Sequence, residues 1–319
     1  MSTNTEVHSP RVQFLALAGA FSSGAMLAVQ SRLNGVVSEH SGRPLMAALW
    51  SFGSGLVVLT IAALVIASVR RGVLRMIEAL RAGRLKWWQC IGGFFGGLLV
   101  AVQAWSVPIV GVAIFSVAVV GGQTLNGLLV DRLGLGPAGV RAVTGVRLLA
   151  AIVAVVGVVV ASTTAGAGEF SLLPAVAAFL VGAGMAVQQA VNGRVSVANK
   201  SPMATTWQNF FVGTVTLLVV SFVVLLTSGA HDWTLSSDVP PWALTGGLIG
   251  IVFIAITSWA VRITGVLIFG LLAVAGQLLT AVGLDLIDPA ARDRIGAQLL
   301  IGLLITLVAA VGAGLARNR

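Results

Sequence analysis

Two carboxamide pairs carry the most specific chemistry in this chain. Gln30 and Asn34 stand four residues apart, which puts them on one face of a helix, and Gln188 and Asn192 repeat that spacing. Both pairs interrupt apolar stretches, where a polar side chain is costly unless it faces a wet cavity or a neighbouring helix. The chemistry on offer is therefore either hydrogen-bond recognition of a solute or hydrogen bonding between helices. Gln123 and Gln277 follow, each eight residues ahead of an aspartate, so that Gln123 with Asp131, and Gln277 with Asp285, fall on common helical stripes. The two aspartates can act as gates that close against basic neighbours, or as proton-coupling acids. They can equally be interfacial carboxylates paired with Arg132 or Arg292. Trp105 and Trp259 offer rings that stack on a planar or cationic ligand, or that anchor in the headgroup layer.

Acid–base catalysis has almost nothing to work with. Tyrosine is absent, and the three histidines, His8, His40 and His231, all lie in polar segments. The single cysteine, Cys90, excludes a disulfide framework and a cysteine metal cage. Glycine patterns of the GxGxxG kind follow no strand, so they carry no nucleotide signal. No cofactor, metal or catalytic role is expected.

The elements that position these residues are membrane helices. Of 319 residues 57% are hydrophobic and only 9% charged, with a mean hydropathy of +1.01, whereas a soluble domain carries about 25% charged residues. Stretches free of Asp, Glu, Lys and Arg and long enough to cross a bilayer are 12–31, 44–69, 87–130, 148–168, 170–193, 201–231, 239–261, 263–284 and 295–316. The stretch 87–130 is too long for one crossing, and Pro108 with Gly111 divides it. The expected fold is an all-α integral membrane protein with ten transmembrane helices, preceded by a polar arm, 1–11, that is retained and not cleaved.

The net charge of +9 reports orientation and not nucleic-acid binding. With the N-terminus inside, fifteen of the nineteen Lys and Arg residues fall in cytoplasmic segments, and only Arg32, Arg43, Arg292 and Arg294 remain outside. Both termini are thus expected to be cytoplasmic.

Internal repetition organises the rest. At a shift of 158 residues, 24–55 matches 182–213 at 12 of 32 positions, including Gln30/Gln188, Asn34/Asn192, Pro44/Pro202 and Phe52/Phe210. At a shift of 154, 88–131 matches 242–285 at 17 of 44, including Gly92/Gly246, Gly96/Gly250, Trp105/Trp259, Gln123/Gln277 and Asp131/Asp285. Each copy holds five spans, 12–165 and 166–319. Five is odd, so the second copy enters the membrane the other way up, and the charges agree: 70–86 is strongly basic, while 228–240 has no Lys or Arg. Inverted repeats of this kind recur in secondary transporters, where rocking one half against the other exchanges outward- and inward-open states. On this reading the two amide pairs line opposite ends of a central pathway, and the glycines form faces for close helix packing. Trp50, which meets Gln208 in the second copy, breaks the symmetry and is a candidate specificity mark.

The motif G-A-x-x-A-V-Q-x-x-x-N-G (Gly24–Gly35, again Gly182–Gly193), together with G-Q-x-L-x-x-x-x-x-D (Gly122–Asp131, again Gly276–Asp285), resembles the YdcZ-type branch of the drug/metabolite transporter superfamily. The resemblance covers nearly everything beyond the N-terminal arm and implies a fused ten-helix exporter of small metabolites in the inner membrane. Small multidrug-resistance relatives carry a membrane-embedded glutamate in their first helix, but spans one and six here hold no carboxylate. A neutral, zwitterionic or anionic solute is therefore expected in place of a hydrophobic cation, and Asp131 or Asp285 is the only acid placed to couple a proton gradient. The alternative function is a membrane scaffold or lipid-handling protein. Monomer and homodimer both remain open; lipids and a small solute are the expected partners.

Overall fold

The computed structural model describes residues 9–137, 139–140, 142–162, 172–228, 235–293 and 295–315, and among them every regular element is helical. Helix α1 (Pro10–Ser41) begins where the Ser9 hydroxyl accepts the Val12 N–H at 3.4 Å and proline fills the first turn. It ends on Gly42 at φ 65°, a left-handed residue that lets the chain reverse. Pro44 then opens α2 (Pro44–Val65). The second copy repeats this corner: α6 (Leu172–Asn199) stops at Lys200, φ 53°, and Pro202 opens α7 (Pro202–Ser228).

The basic segment after α2 is more ordered than a connecting loop. Ile66 adopts an extended conformation, and α3 (Ala67–Arg81) follows, burying Val69, Gly72, Met76 and Ala79 on one stripe while Arg70, Arg71, Arg75 and Arg81 stay exposed. The three-to-four spacing of those buried residues is the helical period.

Short 3₁₀ turns at Trp87–Cys90 and Pro241–Thr245 lead into the two longest helices, α4 (Gly92–Arg132) and α8 (Gly246–Ile287). In α4 a single residue, Gly111 (φ 82°, ψ 167°), separates two helical segments. The expected division of 87–130 is there, but it is one non-helical glycine and not a loop. Helices α5 (Gly145–Ser162), α9 (Pro289–Arg292) and α10 (Ala297–Leu315) complete the chain.

Among the described residues five segments are long and apolar enough to cross a membrane: Pro10–Ser41, Pro44–Val65, Trp87–Arg132, Leu172–Asn199 and Pro202–Thr227. Leu64, Leu180, Leu218, Phe222 and Leu304 are among many large apolar side chains left on the outside, a surface that suits lipid and not water.

The helices pair between the two copies: α1 packs on α8, α6 on α4, α2 on α7, and α5 on α10. The contacts are reciprocal at the level of atoms. A Cβ placed on Gly24 would lie 1.8 Å from Ala273 O, and one on Gly182 would lie 2.3 Å from Val119 O. One on Gly276 would lie 2.0 Å from Phe21 O, and one on Gly122 would lie 1.9 Å from Phe179 O. Ala273 is the repeat partner of Val119, and Phe21 that of Phe179. Backbones this close admit only glycine, which is how small-residue faces hold helices together without a hydrophobic driving force between them.

Candidate functional site

Each amide pair lies against a glycine face of the opposite copy. Asn34 Oδ1 lies 2.7 Å from where a Cβ on Gly246 would be, and Gln30 Nε2 lies 3.0 Å from the corresponding point on Gly250. In the other copy Asn192 Oδ1 is 2.3 Å from a Cβ position on Gly92, and Gln188 Nε2 is 3.0 Å from that on Gly96. The glycines therefore do more than let helices approach. They clear the space that the carboxamides occupy.

The first cluster is knit together across helices. Asn34 Nδ2 donates to Gln103 Oε1 at 2.9 Å, Gln103 Nε2 donates to Ser31 Oγ, and Ser31 donates to Leu27 O at 2.8 Å. Asn34, Gln103 and Ser31 are all buried. In the second cluster Gln188 Nε2 donates to Asn209 Oδ1 at 3.2 Å, and Asn209 Nδ2 donates to Thr205 O at 2.9 Å. Asn209 is the repeat partner of Ser51, which stands beside Asn34 at Gly246. Sequence spacing missed Asn209 because its counterpart is a serine and no motif is shared.

Between the clusters sits an aromatic pair. Phe52 and Phe210, repeat partners, have ring centroids 5.0 Å apart at 33°, and both are buried. A Cβ on Gly96 would meet Phe52 at 3.4 Å as well as Gln188, and one on Gly250 would meet Phe210 at 3.3 Å as well as Gln30. The arrangement is polar cluster, apolar plug, polar cluster.

Asp285 and Asp131 do different things. Asp285 is buried, and its carboxylate accepts the backbone N–H groups of Val112 at 2.9 Å and Ala113 at 2.7 Å. It caps the helical segment that restarts after Gly111, satisfying two donors that a helix start leaves open. The cap comes from α8, so it ties one copy to the other. Beside it, Arg32 bridges Asp288 at 2.8 Å and Glu39 at 3.1 Å. Asp131 instead pairs with Arg147 at 2.5 Å, while Arg147 also donates to Ala142 O at 3.1 Å.

The remaining candidates are dispersed. Gln277 is buried beside α1 with its Nε2 unpartnered. Gln123 is half-buried on α4, one turn from Asn126, whose amide donates to Ala183 O at 2.7 Å. Trp105 lines an open apolar groove of about 300 Å³ with Pro44, Leu45, Ala101 and Val102. The Trp259 side chain lies outside the described residues. Trp50 and Gln208, unlike in type, make equivalent bonds: Trp50 Nε1 donates to Leu244 O at 2.9 Å, and Gln208 Nε2 donates to Cys90 O. Leu244 and Cys90 are repeat partners in the 3₁₀ turns, so the Trp50/Gln208 asymmetry conceals a shared anchoring role. Among the described residues no group of His, Cys, Asp or Glu is placed to hold a metal.

Helices of this length, an apolar exterior and buried amides define a multi-pass helical membrane protein. Residues 15–160 and 173–312 both match the family described as "Putative inner membrane exporter, YdcZ", and the chain belongs to that family. It is a multi-pass inner-membrane protein of the drug/metabolite transporter type, and membership of an exporter family implies transport of a small-molecule substrate within a lipid surround. No curated protein matches the sequence. A crystal structure described only as that of a protein shares the fold, with a TM-score of 0.54 and 19% identity over 98% of this chain and 99% of the other.

Proposed function

We propose that the chain is a secondary transporter that works by alternating access. It comprises ten crossings in two inverted halves, 12–165 and 166–319, with both termini cytoplasmic. At about 1.5 Å per residue, the 41 residues of α4 and the 42 of α8 each span about 60 Å, twice the hydrocarbon thickness of about 30 Å. Each supplies two crossings by doubling back, since Phe95 and Val119 of α4 both lie against Gly182 and Gly184, and Gly250 and Gly276 of α8 lie against Gln30 and Phe21 of α1. The solute is small and polar or zwitterionic, and the direction is export. Gln30, Asn34, Gln188 and Asn192 bind it at the two ends of the pathway, and Trp105 and Trp259 flank its route. Gln123 and Gln277 are further amides for the solute, and Asp131 and Asp285 gate the mouths and are the groups available to a proton gradient.

One observation carries this reading: repeated amides dock on repeated glycine faces of the opposite half, on either side of the Phe52–Phe210 plug. Helix glue has no need of a matched polar site on each side of an apolar barrier. A pathway that opens to each side in turn does.

The test is flux from proteoliposomes loaded with a panel of labelled small metabolites. Gln30→Ala and Gln188→Ala should each lower flux of the transported solute at least tenfold with expression close to wild type. Unchanged flux in both variants would reduce the amides to packing.

A further inference from the structure

The two amide clusters differ in how fully they are paired, and the difference points to a ligand. In the first half Gln103 supplies a second carboxamide: its Oε1 accepts from Asn34 and its Nε2 donates to Ser31. There the hydroxyl of Ser51 is the group left unpartnered. In the second half the repeat partner of Gln103 is Thr257, which is shorter, has no N–H to offer, and leaves its own buried hydroxyl unpartnered. Three carboxamide oxygens there, Gln188 Oε1, Asn192 Oδ1 and Gln208 Oε1, are buried without a donor. Gln188 is 8% exposed and Gln208 3%. An unpaired buried acceptor is destabilising beyond the loss of one bond, because its desolvation is uncompensated.

We infer that the second-half cluster, in which Gln188 and Asn192 lie over Gly96 and Gly92, is the solute-holding end of the pathway, and that it takes a neutral carboxamide or ureide head group. The inference rests on the transport reading and sharpens it. The head group supplies N–H donors to Gln188 Oε1 and Asn192 Oδ1, two oxygens that no side chain or backbone group reaches. Every member of the cluster is uncharged, and a desolvated cation needs a carboxylate beside it. A neutral planar amide does not.

Opposite signs for repeat-paired substitutions follow. Asn192→Leu replaces the unpaired acceptor with an apolar side chain of the same branching and raises the melting midpoint of the purified protein by about 2–4 °C, whereas Asn34→Leu breaks the Gln103 bond and lowers it by a similar amount. L-Glutamine, nicotinamide and allantoin serve as carboxamide and ureide probes, with L-glutamate, L-lysine and L-norleucine as comparators, since a ligand bound to the folded state raises its midpoint. At least one carboxamide or ureide should stabilise wild type, lose that effect in Asn192→Leu, and keep it in Gln103→Thr. A lower midpoint for Asn192→Leu, stabilisation by lysine in place of the amides, or no shift from any of the three amide probes would overturn the inference. Flux of the stabilising probe into proteoliposomes is scored separately. Binding without flux would sink the transport reading and leave the site intact, and flux of a different solute with no amide binding would do the reverse.

Discussion

Asp285→Ala should destabilise the protein by about 2–4 kcal/mol and abolish flux, while Asp131→Ala costs much less. The reasoning starts at Gly111. Its φ of 82° with ψ 167° is open only to glycine, and the helix that restarts after it presents the Val112 and Ala113 N–H groups with no carbonyl to receive them. The Asp285 carboxylate takes both, in a buried setting. Removing it strands two donors, each worth about 1–3 kcal/mol when buried and unpaired. Asp285→Asn keeps one acceptor oxygen and should recover part of the loss. Gly111→Ala acts at the same junction, because its Cβ would fall 2.8 Å from Asp285 Oδ2 in a strained backbone. Asp131, held by Arg147 at the end of α4, loses an ion pair that is partly open to solvent, and such pairs contribute little. Chemical unfolding of purified variants, followed by intrinsic fluorescence, reads the difference. Equal losses for the two aspartates would contradict the capping role.

Gly24→Val and Gly182→Val should both prevent stable assembly, and to the same extent. The added side chains would enter space already held by Ala273 O at 1.8 Å and Val119 O at 2.3 Å from the Cβ position, and both obstacles are backbone. Neither can swing aside as a flexible side chain could, so α1 must leave α8 in one variant and α6 must leave α4 in the other. Gly276→Val and Gly122→Val should behave alike for the same reason, at Phe21 O and Phe179 O. By contrast Gly53→Val, where nothing lies within 4 Å, should fold normally. Monodispersity in size-exclusion chromatography after detergent extraction separates the outcomes. A folded Gly24→Val beside a misfolded Gly182→Val would show that the two interfaces are not equivalent.

Much of this architecture was legible in the residues. The helices, the break near Gly111, the duplication and the two amide pairs all follow from local spacing, because hydropathy runs and four-residue periods are properties of single segments. What the amides touch was not legible. The Asn34–Gln103 bond spans 69 residues, and Asp285 caps a helix that begins 172 residues earlier. Both depend on how one half is laid against the other, a rotation that no local pattern encodes. The same holds for Asn209 and Gln208, whose repeat partners, Ser51 and Trp50, differ in type although their positions correspond. Helix α3 is a different case: Val69, Gly72, Met76 and Ala79 do carry a helical period, but the density of arginine around them reads first as a cytoplasmic connection.

The central claim is that two copies of one five-helix unit face opposite ways, and the corners at Gly42 and Lys200 test it most directly. They are repeat partners, both exposed and both left-handed. Single cysteines placed there, in a chain whose Cys90 is replaced by alanine, are to be labelled with a membrane-impermeant maleimide in right-side-out and inverted vesicles. Gly42→Cys should react only from the outer face and Lys200→Cys only from the inner. Labelling of both from the same face would contradict the inverted arrangement and the alternating pathway built on it.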